Sequence, residues 1–254
     1  MSTAIRPVRP NLDKGVPPAE YCPVSIGAKL IGDRWTILVV RELISGPRGF
    51  NEIHRGLPGL NRSMLAERLR YLERLGAVRR DGSKPGTRSL YGLTPSGGAL
   101  RDVIVAIGEW TVQWHFPQPT DGSADVPTLL WRMYQGIQRE RLPGGRIDIE
   151  FRFPHAEPSR GWIHIDPEGS RICTGIPEGP VDIIVEAPVR VLTEVWFGFR
   201  DFGPAIDEGL IRLEGPPALT CAFSGWFQVS PFSQQVRRSV DPRSYQNEDE
   251  FGPT

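Results

Sequence analysis

The sequence predicts an α+β protein of two domains, and three observations lead to that prediction. The chain has 254 residues, which suits two domains of ordinary size. Its apolar residues recur at helical spacing in the first half and later alternate with polar residues, as in strands. Residues 1–115 carry 17 Lys and Arg against 10 Asp and Glu, whereas residues 116–254 carry 13 against 20. A basic domain joined to an acidic one is expected when only one of them binds a polyanion.

Composition divides the chain further. The Pro-rich, polar residues 1–20 are predicted to form a flexible N-terminal arm, and the polar run 117–127 is predicted to be a linker. Residues 237–254 are predicted to be a disordered tail. Two domains remain, one over residues 21–116 and the other over residues 128–236.

Helices dominate the predicted first domain. Apolar residues three and four positions apart indicate helices over Ser25–Ile31 and Trp35–Ile44, and a short helix fits Phe50–Arg55. The sequences AVRR and SLYGLT, joined by the turn residues DGSKPG, predict a hairpin. Thr94 and Pro95 then begin a long helix. Helices followed by a basic hairpin and a longer helix make the order of a winged helix-turn-helix.

The helix that follows the turn LPG has two different faces. Asn61 is a suitable N-cap, Gly76 ends the helix, and Leu65, Leu69 and Leu72 form one apolar stripe. The N-terminal turn of a recognition helix reaches base edges, and cations further along it contact phosphates. An isolated helix of this kind is more often only a solvated surface, but the basic hairpin and the charge asymmetry favour DNA binding.

The predicted DNA-contacting residues lie on the polar face of this helix, on the hairpin and just before the Phe50–Arg55 helix. Arg68 lies nearer the buried flank, and we expect it to be structural. The predicted contacts are Arg48, Asn61, Arg62, Ser63, Glu67, Arg70, Arg74, Arg79, Arg80, Lys84 and Arg88.

Several motifs carry a family resemblance over residues 21–115. They are YCPVSIGAKLIGDRW, REL with GPRGFNE, LPG, RLRYLERLG and YGLTP. Together they resemble the HxlR-type winged-helix family of bacterial transcription regulators. The resemblance implies a homodimer that binds operator DNA, paired through the first and last helices of the domain, on an inverted-repeat site. The chain departs from the family where Arg62 and Ser63 stand near the start of the recognition helix, a place often taken by Pro.

The last helix of the first domain carries an apolar stripe that needs a partner surface. We expect the dimer interface to include Ile107, Trp110 and Trp114. Cys22 stands where the family has a recurrent cysteine that senses electrophiles or oxidants in some members, which gives it a redox role as one alternative. The favoured alternative is a buried small hydrophobe, because the sequence shows neither thiolate character nor access.

The second domain is predicted to be a sheet covered by helices. Residues Arg146–Phe153 alternate perfectly, and shorter strand signals follow at 161–166, 171–174, 182–186 and 210–214. This order resembles the sterol carrier protein type 2 family, which implies an apolar tunnel between sheet and helices. The candidate lining for a small hydrophobic or aromatic ligand is Phe151, Trp162, Trp196, Phe199, Phe202, Phe223, Trp226 and Phe227. Each of these aromatics is individually more often core than ligand contact.

Other functional classes have little support in the sequence. The four histidines are scattered, His164 fits a polar position on the face of a strand, and no nucleophile elbow or phosphate-binding loop occurs. The three cysteines form no metal-binding pattern. We therefore expect no enzyme activity, cofactor or metal. No apolar run approaches about 18 residues and no signal peptide is evident, so a cytoplasmic protein is expected rather than a membrane protein.

Three functional hypotheses follow. The first is a ligand-responsive DNA-binding regulator, more often a repressor, whose C-terminal domain binds a small hydrophobic molecule. The second keeps DNA binding but makes the C-terminal domain a module for dimerisation or protein interaction. The third is a lipid-binding protein that retains a winged helix without regulating genes.

Overall fold

The computed structural model describes residues 21–82, 89–166, 171–173 and 180–240. The chain forms two compact units that divide between Ile107 and Gly108. This division falls inside the long helix Leu100–Trp114, earlier than the boundary predicted at residue 116. The predicted arm, residues 1–20, lies outside the described residues.

The N-terminal unit begins with the predicted helices. N-caps explain where two of these helices start. The Asp33 side chain accepts hydrogen bonds from the backbone N–H groups of Trp35 and Thr36. The Asn61 side chain accepts a hydrogen bond from the backbone N–H group of Met64. The helices are α1 (Pro23–Ile31), α2 (Arg34–Leu43), α3 (Phe50–Arg55) and α4 (Arg62–Arg74).

The apolar stripe of α4 holds that helix to its unit. Leu65, Leu69 and Leu72 are at most 1% exposed and pack in one cluster with the buried apolar residues of α2 and α3. Gly76 follows the helix with φ +74°, a left-handed conformation that glycine adopts without strain. The buried stripe therefore fixes which face of α4 remains outside.

A small antiparallel sheet follows, in the order β1 (Arg48–Gly49), β3 (Leu90–Leu93), β2 (Val78–Asp81). The predicted hairpin is confirmed in β2 and β3, and β1 adds a short strand that the sequence did not indicate. The long helix predicted from Pro95 is two helices, α5 (Pro95–Gly98) and α6 (Leu100–Trp114). Gly97 packs so closely against the Ala77 carbonyl that any Cβ there would overlap it.

The strands of the C-terminal unit are β4 (Ile147–Arg152), β5 (Arg160–Ile165), β6 (Arg171–Cys173), β7 (Ile183–Glu186) and β8 (Arg212–Glu214). They form a five-stranded sheet in the order β6-β5-β4-β7-β8. Its central strand β4 pairs in parallel with β7, and the other neighbouring pairs are antiparallel. All five predicted strands are present within one or two residues of their expected ends.

After α6, the described part of this unit contains short 3-10 turns at Arg139–Arg141 and Phe223–Trp226, and the helices α7 (Val126–Gln135), α8 (Val189–Phe197), α9 (Phe202–Asp207), α10 (Pro217–Ala222) and α11 (Ser233–Val240). Helix α7 begins inside the predicted linker, because Asp125 caps it through the Thr128 backbone N–H at 2.8 Å. The predicted tail begins too early, because Arg237–Val240 belong to α11, and residues 241–254 lie outside the described residues.

One face of this sheet forms the core of the C-terminal unit. Ile147, Ile149 and Phe151 on β4 are at most 3% exposed and belong to the same cluster as the buried residues of α7 and α8. On β5, Gly161 faces Leu130 of α7 without a side chain, which lets the helix approach the sheet. The fold is thus α+β in each of its two units, as predicted.

Candidate nucleic-acid interface

The outer face of α4 is polar and accessible. Because the leucines are buried on one side of α4, the opposite side faces solvent, as a helical wheel of this sequence predicts. Exposed residues on this side and at the cap are Asn61, Arg62, Ser63, Glu67, Arg70 and Arg74. The structure therefore brings six predicted contacts together on one helix.

The cap of α4 is built from two of these residues. The Asn61 side-chain oxygen accepts from the Met64 backbone N–H at 2.8 Å and from the Ser63 hydroxyl at 2.7 Å. Its oxygen is thereby committed to the helix, whereas its NH₂ group donates no hydrogen bond within the described residues. Asn61 and Ser63 act together to define the first turn.

Arg62 is oriented by residues of the preceding helix. Its Nη2 donates to Oδ1 of Asn51 at 2.7 Å, and its guanidinium lies 5.3 Å from the centroid of the Phe50 ring. Sequence reasoning did not single out Asn51, which is exposed in the first turn of α3. The sequence feature that could have indicated Asn51 is its position at the start of the helix that precedes the recognition helix.

The arginines further along α4 divide into two kinds. Arg70 and Arg74 are exposed, and neither forms an ion pair within the part of the chain that the structure describes. Nε of Arg68 lies 3.4 Å from Oδ1 of Asp33, and the Arg68 side chain is 26% exposed. The structural role expected for Arg68 agrees with this contact.

Cations of the hairpin extend the basic surface. Arg80 donates from Nη2 to the Ser89 hydroxyl at 3.1 Å and lies 5.8 Å from the Tyr91 ring centroid. Nε of Arg79 lies 3.2 Å from Oδ2 of Asp81, so this cation is partly neutralised by its own strand. Lys84 and Arg88, which were predicted to contact DNA, lie outside the described residues.

Arg48 has a contact within its own unit. Its Nε donates to the backbone oxygen of Glu42 in α2 at 2.8 Å, which fixes β1 to that helix. The side chain is only partly exposed, unlike the cations of α4. Its contact with DNA stays a prediction.

The apolar stripe of α6 is exposed where dimerisation was predicted. Ile107 is 44% exposed, Trp110 55% and Trp114 58%. Within the N-terminal unit, α1, α2 and the start of α6 also form an apolar groove. Its lining residues are Ile31, Thr36, Ile37, Val40, Leu100, Val103, Ile104 and Ile107.

Cys22 is exposed, which corrects the favoured expectation of a buried small hydrophobe. It occupies the N-cap position of α1, where the backbone N–H groups of Ser25 and Val24 lower the pKa of its thiol by stabilising the thiolate. Access and thiolate character are the two properties that a reactive cysteine requires.

Most of the predicted ligand lining lies in the core of the C-terminal unit. Phe223 is at the centre, with ring centroids 6.4 Å from Phe151, 5.7 Å from Phe202 and Trp226, and 5.2 Å from Phe227. These separations are those of packed aromatic pairs. Trp196 is also buried, whereas the predicted lining residues Phe199 and Phe202 are only partly buried. The indole Nε1 of Trp226 is buried and has no hydrogen-bond partner among the described residues.

Trp162 does not share a lining with Phe151. It pairs with Glu150 across the sheet, so it lies on the face opposite the core, as does His164 opposite Asp148. The alternation of Ile163 and Ile165 with their neighbours already contained this information. Trp162 therefore has to be removed from the predicted lining.

This second face of the sheet is occupied by a histidine–carboxylate hydrogen bond and by arginine–carboxylate ion pairs. Nδ1 of His164 lies 2.6 Å from Oδ1 of Asp148, and Nε of Arg146 lies 2.7 Å from the other carboxylate oxygen. Arg152 contacts both carboxylate oxygens of Glu150, at 3.0 and 3.1 Å. The Glu150 carboxylate is the main reason why the pKa of Arg152 is raised. These charges neutralise one another within the unit.

No helix in the described part of the chain is long and apolar enough to span a bilayer. Among the same residues, no group of three or more His, Cys, Asp and Glu side chains is placed to hold a metal ion.

Comparisons with known proteins match the N-terminal region of the chain to a family. The model of the HxlR-like helix-turn-helix family matches residues 30–119. The HTH-type transcriptional regulator YvaP of Bacillus subtilis is 35% identical over 105 residues, which cover 41% of this chain and 97% of YvaP. YodB of the same organism, also an HTH-type transcriptional regulator, is 36% identical over 101 residues, covering 39% of this chain and 90% of YodB. The solved structure of reduced YodB from B. subtilis has 35% identity, covers 39% of this chain and 98% of that chain, and has a TM-score of 0.35.

Proposed function

The chain belongs to the HxlR-like helix-turn-helix family of transcription regulators, and on this premise we propose that it represses genes as a homodimer whose C-terminal unit binds a small hydrophobic molecule. DNA binding is carried by one observation above the others. The N-terminal end of α4 and its outer face present Arg62, Arg70 and Arg74 to solvent on a helix whose other side is buried. The proposal gives the chain no catalytic step, cofactor or metal.

The homodimer is supported by the apolar surface of the first and last helices of the N-terminal region. Trp110 and Trp114 would each remain more than half exposed without a partner, which is unusual for large aromatics in a monomer. The apolar groove of the N-terminal unit offers a complementary surface for a second copy. Two-fold symmetry then places two copies of α4 on an inverted-repeat site.

The ligand part of the proposal rests on the core of the C-terminal unit. Aromatic side chains surround Phe223, and the indole N–H of Trp226 is buried without a partner among the described residues. A ligand with an apolar body and one hydrogen-bond acceptor would satisfy that donor. The proposed resemblance to sterol carrier proteins is supported by a sheet with helices packed on one face. Ligand binding would alter DNA affinity by changing the spacing of the two DNA-binding units, with a coupling of about 1–3 kcal/mol.

A second candidate makes the C-terminal unit an interaction module without a ligand. The ring separations around Phe223 favour it, because they are those of a closely packed interior. Native mass spectrometry of the purified chain distinguishes the two candidates. A retained small molecule that leaves on denaturation supports the ligand, whereas a dimer of two bare chains supports the module.

DNA binding itself is tested by gel shifts with duplexes from the region upstream of the chain's own gene. We expect a shift that weakens as salt is raised, because cations on α4 displace counterions from phosphates. A repressor also lowers transcription from the same promoter in a reconstituted assay. Absence of a shift on every upstream duplex would contradict the proposed function.

A further inference from the structure

We infer that Asn51 is a positioning residue, which holds Arg62 so that its guanidinium makes a bidentate contact with a guanine in each half of the DNA site. This inference rests on the proposed function. It adds the base that is recognised and a residue outside the recognition helix that prepares the contact.

The contacts of Arg62 leave its recognition edge available. An arginine carries five N–H donors in a planar fork. One donor on Nη2 binds Oδ1 of Asn51 at 2.7 Å, and within the described residues no hydrogen bond engages Nε or Nη1. The Phe50 ring, 5.3 Å from the guanidinium carbon, limits the side chain from a second direction. The fork is thus held in place while most of its donors remain unsatisfied.

The position of this fork suits base recognition. Arg62 is the first residue of α4, directly after the Asn61 cap, and the N-terminal residues of a recognition helix are those that reach base edges. A guanidinium fork matches the two acceptors O6 and N7 of guanine in the major groove. An arginine held in advance loses less side-chain entropy when it binds, which favours the contact over that of a mobile side chain.

The hydrogen bond between Asn51 and Arg62 contributes little to the stability of the fold, which argues against a merely structural role. Asn51 and Arg62 are both exposed, and exposed polar pairs contribute little to the free energy of unfolding. Arg68 provides the contrast within the same helix, because it lies nearer the buried flank beside Asp33. An exposed arginine that is nevertheless oriented is better explained by what it contacts outside the chain.

The experiment is a selection from a library of randomised DNA duplexes, carried out with the full chain and three variants. Arg62→Lys keeps the positive charge but loses the planar fork, so it separates base recognition from phosphate attraction. Asn51→Ala removes the hydrogen bond to Arg62 and leaves the fork intact. Arg74→Ala is the matched control, because it removes an exposed cation from the last turn of α4. Thermal unfolding of each variant checks that the fold is retained.

For the unmodified chain we expect an enriched inverted repeat with a guanine at equivalent positions of the two half-sites. Arg62→Lys should reduce the preference for that guanine by roughly 5- to 100-fold while the salt dependence of binding is nearly unchanged. Asn51→Ala should reduce the preference at the same position by roughly fivefold. Arg74→Ala should weaken binding to all sequences alike and leave the base preference as it was.

Different failures identify different errors. If no sequence is enriched and no salt-sensitive binding is seen, the proposed function is wrong, and the inference is wrong with it. If a motif is enriched but its guanine preference survives Arg62→Lys, only the base contact is overturned. If Asn51→Ala leaves the preference at that position unchanged, the positioning role of Asn51 is overturned while DNA binding stands.

Discussion

Arginines are used in opposite ways on the two units of this molecule. On the N-terminal unit Arg70 and Arg74 project from α4 without an ion pair among the described residues. On the C-terminal unit Arg146, Arg152 and Arg160 contact buried carboxylates on the second face of the sheet. The exposed arginines of α4 keep their positive charge available to a partner, whereas the three arginines beside the C-terminal sheet are neutralised by carboxylates of their own unit.

The charge asymmetry of the sequence accounts for this difference. An excess of acidic residues in the second half supplies partners for its arginines, whereas the excess cations of the first half have few carboxylates to meet. Phosphates of DNA are the partners that such cations bind through counterion release. The same residue type therefore forms internal ion pairs in one unit and is proposed to bind DNA in the other.

Removing a carboxylate from the C-terminal unit should have the largest effect on stability. Glu150→Ala leaves Arg152 and Arg160 facing each other without their shared partner. We expect the free energy of unfolding to fall by about 1–3 kcal/mol, a moderate loss because both arginines are partly exposed. Chemical denaturation of the full chain measures it. An unchanged denaturation midpoint would show that these ion pairs do not stabilise the unit.

Removing an arginine from the N-terminal unit should affect DNA instead. For Arg70→Ala we expect a loss of DNA affinity of about 3- to 10-fold and a salt slope smaller by about 1, with unfolding nearly unchanged. Arg212→Ala is the control, because Arg212 is an exposed arginine on β8 that contacts Glu186 at 3.7 Å. Fluorescence anisotropy with labelled duplex compares the two. If both variants lost the same DNA affinity, the proposed difference between the arginines of the two units would be wrong.

A smaller effect concerns the exposed cysteines, one on each unit. Because backbone N–H groups lower the pKa of the Cys22 thiol, its alkylation should begin at a lower pH in the folded chain than in the urea-unfolded chain. Cys221 is also exposed and serves as the comparison in the same peptide digest. Identical pH profiles for Cys22 in the folded and unfolded chain would contradict this expectation.

The sequence predicted those features that depend on local pattern. The alternation of Ile147, Ile149 and Phe151 identified β4, and the leucine stripe identified the buried face of α4. Helix α7 was missed because Pro127 and the polar residues before it resemble a linker. Pro is nevertheless tolerated in the first turn of a helix, where its missing N–H has no helical partner.

Features set by tertiary contacts were harder to predict. The hydrogen bond between Asn51 and Arg62 joins residues eleven positions apart, and no periodic pattern indicates it. The contact of Arg48 with the Glu42 carbonyl depends in the same way on how β1 meets α2. The correct face for Trp162 could have been predicted, because alternate residues of a strand point to opposite faces of the sheet. Trp162 pairs with Glu150 and lies on the same face, opposite the core.

The salt dependence of DNA affinity tests the central claim most directly, namely that the exposed cations of the N-terminal unit bind phosphates. Affinity of the full chain for a duplex from its own upstream region is measured between about 50 and 200 mM salt, the range in which phosphate contacts change affinity strongly. The exposed arginines of α4, doubled in a homodimer, predict a slope of log affinity against log salt steeper than about −3. A slope near zero, or no binding at low salt, would contradict the claim.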